Sequence, residues 1–162
     1  MHIKNYFHKG VIGRNELIGF PKYELTHVPA KVDTGAYRSA IHATNIVEKN
    51  GVLTFTILDG HVQSPELRQT ISTDKYRKVR VTNSFGVREE RYEVKLRIKL
   101  GHRVFNASFS LADRSRNAFP VLIGREMLNG RFIVDTSVVR VKRSQLALPK
   151  DAIGIFDEEE KE

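Results

Sequence analysis

One short run in this chain has residue types that could do chemistry together: Lys31-Val32-Asp33-Thr34-Gly35-Ala36. An apolar residue leads into a carboxylate, then a hydroxyl, then glycine. That places a carboxylate at the end of a strand, in a tight loop. The Thr34 hydroxyl can hydrogen-bond locally and brace the loop. Gly35 lets backbone N–H groups approach the Asp33 carboxylate. An ordinary Asx-type turn would satisfy the same residues. A second run lies about 90 residues downstream: Pro120-Val121-Leu122-Ile123-Gly124-Arg125-Glu126-Met127-Leu128. It reads as an apolar strand entering Gly124-Arg125 and then a short helix, and a plain core strand with a turn would also fit it. Between the two runs, Asn83-Ser84-Phe85-Gly86 reads as a hairpin tip flanked by Val81 and Val87. The order and spacing of the two runs set them apart from a chance match.

Other chemistries lack their residues. There is no cysteine, so disulfide frameworks, Cys-ligated zinc, thiol catalysis and Fe–S clusters are excluded. The six histidines (His2, His8, His27, His42, His61, His102) form no i,i+4 pair, and no HExxH is present. The sequence has no GxxxxGKS or GxxxxGKT phosphate loop, no GxGxxG and no GxSxG elbow. The expectation is therefore no metal and no cofactor.

The elements that must hold these runs are strands. Tyr92, Val94, Leu96, Ile98 and Leu100 alternate with Glu93, Lys95, Arg97 and Lys99, the pattern of a half-buried strand with one wet face. Phe105, Ala107, Phe109 and Leu111 repeat it after a Gly101-His102 turn. Leu53, Phe55 and Ile57 do so before Asp59-Gly60. Val79 and Val81 mark another short strand, and Phe132-Ile133-Val134 one more. Helical signal is confined to Arg125–Asn129, stopped by Gly130, and to a short turn around Arg38–Thr44. The whole predicts an all-β sandwich or barrel. One domain is expected over residues 1–150, and an acidic, flexible tail over 151–162.

The chain of 162 residues is long enough to bury its own core. It carries 27 Lys+Arg against 19 Asp+Glu, a formal +8. The last six residues hold net −4, which leaves +12 on the rest. A basic body attracts phosphates, anionic membranes or acidic polypeptides, and surface charge for solubility gives the same excess. No apolar run approaches the roughly 20 residues of a spanning helix. The first ten residues lack the apolar stretch of a signal peptide. A cytoplasmic, non-membrane protein is expected.

With these residues in place, the sequence resembles the retropepsin-like aspartic peptidases. The matching residues are Asp33-Thr34-Gly35-Ala36, the Ser84-Phe85-Gly86 tip, and Leu122-Ile123-Gly124-Arg125-Glu126. It looks closer still to a bacterial and archaeal branch often labelled ATP-dependent zinc proteases and associated with the glutamate ligase RimK. That branch shares an opening like Val11-Ile12-Gly13-Arg14 and a loop like Lys31 to Ala43. The resemblance runs from about Val11 to Arg143. It implies a closed β-barrel with a flap hairpin and one short C-terminal helix. It also implies Asp33, Thr34 and Gly35 as catalytic residues, Ala36, Ser84, Phe85 and Gly86 as substrate-binding residues, and Gly124 and Arg125 as supports of the site. The label does not match the residues, which offer neither a zinc motif nor a phosphate loop. Two positions depart from the retroviral pattern. Glu126 stands where that pattern has Asp or Asn. Tyr37-Arg38 stands where it has an acid that pairs with the downstream arginine, so Arg125 needs another partner.

An aspartic mechanism needs two carboxylates sharing a proton. Asp135-Thr136-Ser137 resembles a second triplet, but it follows the Leu122-Ile123-Gly124-Arg125 segment, and 27 residues after it cannot build a second lobe. The second carboxylate is therefore expected from another copy of the chain, across a two-fold axis. Val138-Val139-Arg140-Val141 is the candidate strand for that interface, and an ordinary barrel edge would read alike. Between Lys75 and Arg103 lie ten Lys/Arg and three Glu. That charge, with the glutamate-ligase association, suits an acidic or glutamate-rich peptide or a ribosomal-protein substrate. Two other readings fit the sequence. One is a non-catalytic basic β-barrel that binds RNA or ribosomal protein, although only Tyr76, Phe85 and Tyr92 could stack bases. The other is an inactive interaction module on the same fold.

Overall fold

A computed structural model describes residues 8–63, 65–83 and 85–141. Eleven strands and one short α-helix occur among them: β1 (Gly10–Ile12), β2 (Asn15–Phe20), β3 (Leu25–Val32), β4 (Ser39–Lys49), β5 (Val52–Ile57), β6 (Gln69–Thr73), β7 (Tyr76–Thr82), β8 (Arg88–Leu100), β9 (Arg103–Ala112), β10 (Val121–Ile123), α1 (Arg125–Leu128) and β11 (Phe132–Val134). The chain is mostly β, as its alternation requires. The expected tail over 151–162 lies outside the described residues.

Six strands pair in a ring: β10 with β3, β3 with β2, β2 with β8, β8 with β9, β9 with β4, and β4 back to β10. β5 and β6 extend this sheet from β4, and β7 adds to β8. β1 and β11 form a separate parallel pair. The core gathers Ile18, Phe20, Val28, Ile41, Phe55, Ile98, Leu100, Phe109 and Ile123, each fully buried. Removing one such aromatic side chain costs about 3–5 kcal/mol.

The alternating runs become strands as expected. Val94, Leu96, Ile98 and Leu100 are buried while Lys95, Arg97 and Lys99 face outward. Leu53, Phe55 and Ile57 are wholly buried in β5. Three expectations need correction. The turn expected around Arg38–Thr44 is the first half of β4, buried on both faces from Ser39 to Ala43. Glu93 does not lie on the wet face; it is buried at 3% exposure. Val138–Val141 is not a strand. The Val138 and Val139 carbonyls instead accept hydrogen bonds from Arg14 and Asn15 of the same chain, at 3.0 and 2.8 Å.

Candidate functional site

β3 and β10 run parallel, with Val32 opposite Ile123. Asp33 leaves the end of β3, and its N–H donates to the Ile123 carbonyl at 2.9 Å. The chain then turns. Asp33 Oδ1 accepts the Gly35 N–H at 2.9 Å and the Ala36 N–H at 3.2 Å. Among the described residues no hydrogen bond reaches Asp33 Oδ2. The loop thus fixes one carboxylate oxygen with backbone donors and leaves the other to meet a ligand. Thr34 and Gly35 are exposed, and Asp33 and Ala36 are half-buried. The Thr34 hydroxyl makes no hydrogen bond among the described residues, so it does not brace the loop as its position had led us to expect.

The second run closes on the first. Ala36 and Tyr37 present their carbonyls to the N–H groups of Arg125 and Glu126, at 2.8 and 2.9 Å, so the start of α1 is hydrogen-bonded to the loop. Gly124 is needed at this crossing: a Cβ there would sit 2.5 Å from the Arg38 carbonyl oxygen. Its N–H donates to Ser39 Oγ at 3.0 Å. Arg125 finds its partners on the backbone. Its Nη1 donates to the carbonyls of Thr34 at 3.2 Å and Gly35 at 2.9 Å, and its guanidinium lies 6.0 Å from the Tyr37 ring centroid. Asp33, Thr34, Gly35, Ala36, Gly124 and Arg125 therefore form one constellation.

The expected hairpin tip is present, and its hydrogen bonds are made within its own turn. β7 and β8 pair in register from Tyr76↔Val94 to Thr82↔Arg88. The turn is closed by Asn83, whose Oδ1 accepts the N–H groups of Phe85 and Val87 at 2.9 and 3.0 Å. Gly86 supplies a φ of 77°, a value that favours glycine. Phe85 is 90% exposed, and the hydrogen bonds of Phe85 and Gly86 stay within the turn. Ser84 lies outside the described residues.

Sequence reasoning missed two charged residues here. Arg114, in the loop after β9, feels both Asp33 and the hairpin residue Arg91. Burial first, then the Arg91 charge, push its guanidinium below the ordinary value, while the Asp33 carboxylate acts in the opposite sense. Its neighbourhood of polar residues reads as a solvated loop, so no signal marks it. Glu93 is the other. It receives Arg38 Nη1 on Oε2 at 2.5 Å and Arg77 Nε on Oε1 at 2.6 Å. Arg38 also lies 3.9 Å from Glu126. At this loop, then, a cation in the chain meets acids on β8 and α1.

Asp135 takes no part in this site. Its Oδ1 accepts the Ser137 N–H at 2.9 Å and hydroxyl at 2.6 Å, which hold the carboxyl below its ordinary range. Among the described residues no group of three or more His, Asp or Glu side chains is placed to hold a metal ion. No helix among them is long and apolar enough to cross a membrane.

Comparison with known proteins follows the same lines. Residues 11–145 match the family model described as retropepsin-like aspartic endopeptidase RimB. A protein from Desulfotalea psychrophila named probable alpha-L-glutamate ligase is 29% identical over 134 residues, covering 80% of this chain. A Parasynechococcus marenigrum protein of the same name is 30% identical over 132 residues, covering 78% of this chain. The chain spans only 29% and 28% of the length of these two relatives. A crystal structure of a Legionella pneumophila protein of unknown function superposes with a TM-score of 0.63 at 29% identity, covering 80% of this chain and 95% of that one. The Asp33 loop, its Gly124-Arg125 support and a family match over most of the chain agree: this protein belongs to the RimB-like family of retropepsin-like aspartic endopeptidases.

Proposed function

We propose that the protein is a homodimeric aspartic endopeptidase in which Asp33 from each of two copies activates one water. The observation that carries this reading is the Asp33 carboxylate, held through Oδ1 by two backbone N–H groups, with no hydrogen bond to Oδ2 among the described residues. Two such carboxylates across a dyad share a proton. The ionised one takes a proton from water, and the protonated one polarises the scissile carbonyl. Water then adds to that carbonyl carbon, and the C–N bond breaks as the amine is protonated.

Several features support the dimer. One copy offers a single such loop, and Asp135 is committed to Ser137. The exposed Thr34 hydroxyl has no partner among the described residues of its own chain, which suits a loop that meets its copy. In this reading the β7–β8 hairpin is the flap. Phe85 and Gly86 at its tip, with Ala36 at its loop, would contact substrate. Acidic or glutamate-rich peptides, including ribosomal-protein tails, are the substrates we favour, because Arg114 lies close enough to feel both the Asp33 carboxylate and the hairpin residue Arg91. The ligase name belongs to relatives more than twice as long as the matched region. We assign the peptidase chemistry to that region and the ligase chemistry to the remainder of those proteins.

The test is peptide cleavage by Asp33→Asn. Asn keeps the shape of the site but cannot act as the base, so cleavage should fall by at least about a thousandfold while the fold persists. EDTA should leave the wild-type rate unchanged. Cleavage retained by Asp33→Asn, or lost in EDTA, would reject the aspartic mechanism.

A further inference from the structure

Glu93 is buried, yet it sits on the strand that becomes the second arm of the hairpin. A carboxylate taken out of water is costly unless charged donors surround it. Here they come from two separate pieces of the molecule. Arg77 faces Glu93 across the β7–β8 ladder and donates its Nε–H to Oε1 at 2.6 Å, with Nη2 of the same guanidinium 2.5 Å from that oxygen. Arg38, two residues beyond Ala36, donates Nη1 to Oε2 at 2.5 Å. The main chain of the Arg38 segment is itself fixed against the site. Gly124 packs on the Arg38 carbonyl, and Tyr37 accepts the Glu126 N–H. One side chain therefore touches both the root of the hairpin and the end of the Asp33 loop.

The hairpin root is also tied to β4, where Glu48 accepts the Tyr76 and Tyr92 hydroxyls at 2.8 and 2.7 Å, but neither contact reaches the Asp33 loop. Within β7 only Val79 is buried, and Arg88 to Glu90 of β8 are exposed. Any displacement of β7 from β8 at the root draws Arg77 from Glu93 and leaves Arg38 as its remaining cation. Any shift of the loop pulls Arg38 from Glu93.

We propose that Glu93 is a positioning residue: through Arg77 and Arg38 it couples the hairpin root to the Asp33 loop and fixes how the two stand relative to each other. Its kinetic consequence rests on the peptidase reading; the coupling itself does not. A buried carboxylate shared by two guanidiniums from different elements transmits displacement in both directions, because neither arginine can leave without uncovering the charge.

Amide hydrogen exchange of the wild type, Glu93→Gln and Arg77→Gln tests this. Arg77 is 61% exposed, so its replacement leaves the core intact. In both variants exchange should rise about tenfold at the β7 arm and also at residues 34–38, with β4 and β9 core amides unchanged. An unaltered loop in Arg77→Gln overturns the proposal, whether or not Glu93→Gln folds. So does uniform acceleration across the core, which would make the cluster merely a stability element. In peptide cleavage, kcat should fall about tenfold in each single variant, more than KM changes, and the double variant should lose little more than either single. Additive losses overturn the coupling. A wild-type protein with no cleavage counts against the peptidase reading alone, and exchange still decides this one.

Discussion

At the scale of single residues, the site depends on where a side chain is forbidden as much as on where one acts. Gly124 lets the strand β10 pass under the Tyr37–Arg38 main chain. Gly124→Ala forces a Cβ to within 2.5 Å of a carbonyl oxygen that cannot swing away, since it is backbone. We expect about 1–3 kcal/mol of lost stability in urea unfolding, with cleavage falling more than stability explains. A second residue sets a pH limit on the fold. His61 is fully buried, with Nε2 facing the Arg114 and Asn117 carbonyls and Nδ1 accepting the Gln63 N–H. That arrangement suits the neutral ring, and burial chiefly holds its pKa below the ordinary histidine value. A base depressed in the folded state gives stability that is complete above its unfolded pKa of about 6.5. Below that pH the unfolded chain takes up a proton that the folded one refuses, so stability declines. Urea midpoints should fall between about pH 7 and pH 5, and His61→Gln should flatten that slope. An equal slope in the variant would assign the pH dependence to other groups. Asp33, Gly35 and Gly124 announce themselves by residue type and spacing. The partners of Arg125 do not, because backbone carbonyls carry no side-chain signature. Glu93 misled because alternation reports which face a residue lies on, not whether arginines have closed over that face.

At the scale of elements, strands with one wet side were legible and strands with none were not. β8 from Val94 to Leu100 and β9 from Arg103 to Phe109 alternate because one face meets the core and the other water, while Ser110 to Ala112 of β9 are all buried. β4 begins Ser39-Ala40-Ile41-His42-Ala43 and is buried at all five positions, between β9 and β10. With both faces covered, the two-residue period vanishes, and the segment reads from sequence as a short turn. The hairpin was legible from its tip, but its arms run longer than the tip suggested, to Tyr76 and into the core at Val94. Its outer arms are charged, and part of that charge is already paired: Arg91 with Glu89, and Lys78 with Glu90 at 3.8 Å. The hairpin arginines should nonetheless favour acidic substrates, through a term that weakens with salt. Replacing Arg88 and Arg91 with Ser should raise KM for a glutamate-rich peptide several-fold more than for a neutral one. An equal response would remove the acidic-substrate reading and leave the aspartic mechanism standing.

At the scale of the whole molecule, the ring of strands brings the ends of β3 and β10 together and exposes one loop bearing one engaged carboxylate oxygen and one open one. In the proposed dimer each copy supplies half of an aspartic site, and the proposed chemistry requires two copies to complete it. The most direct measurement mixes wild-type protein with increasing Asp33→Asn, allows exchange of subunits, and follows peptide cleavage at constant wild-type plus variant concentration. If each site needs Asp33 from both copies, mixed dimers are inactive, and an equal mixture retains about one quarter of the wild-type activity. Retention of about one half, falling linearly with the wild-type fraction at every ratio, would mean that each chain acts by itself and would contradict the shared Asp33 pair.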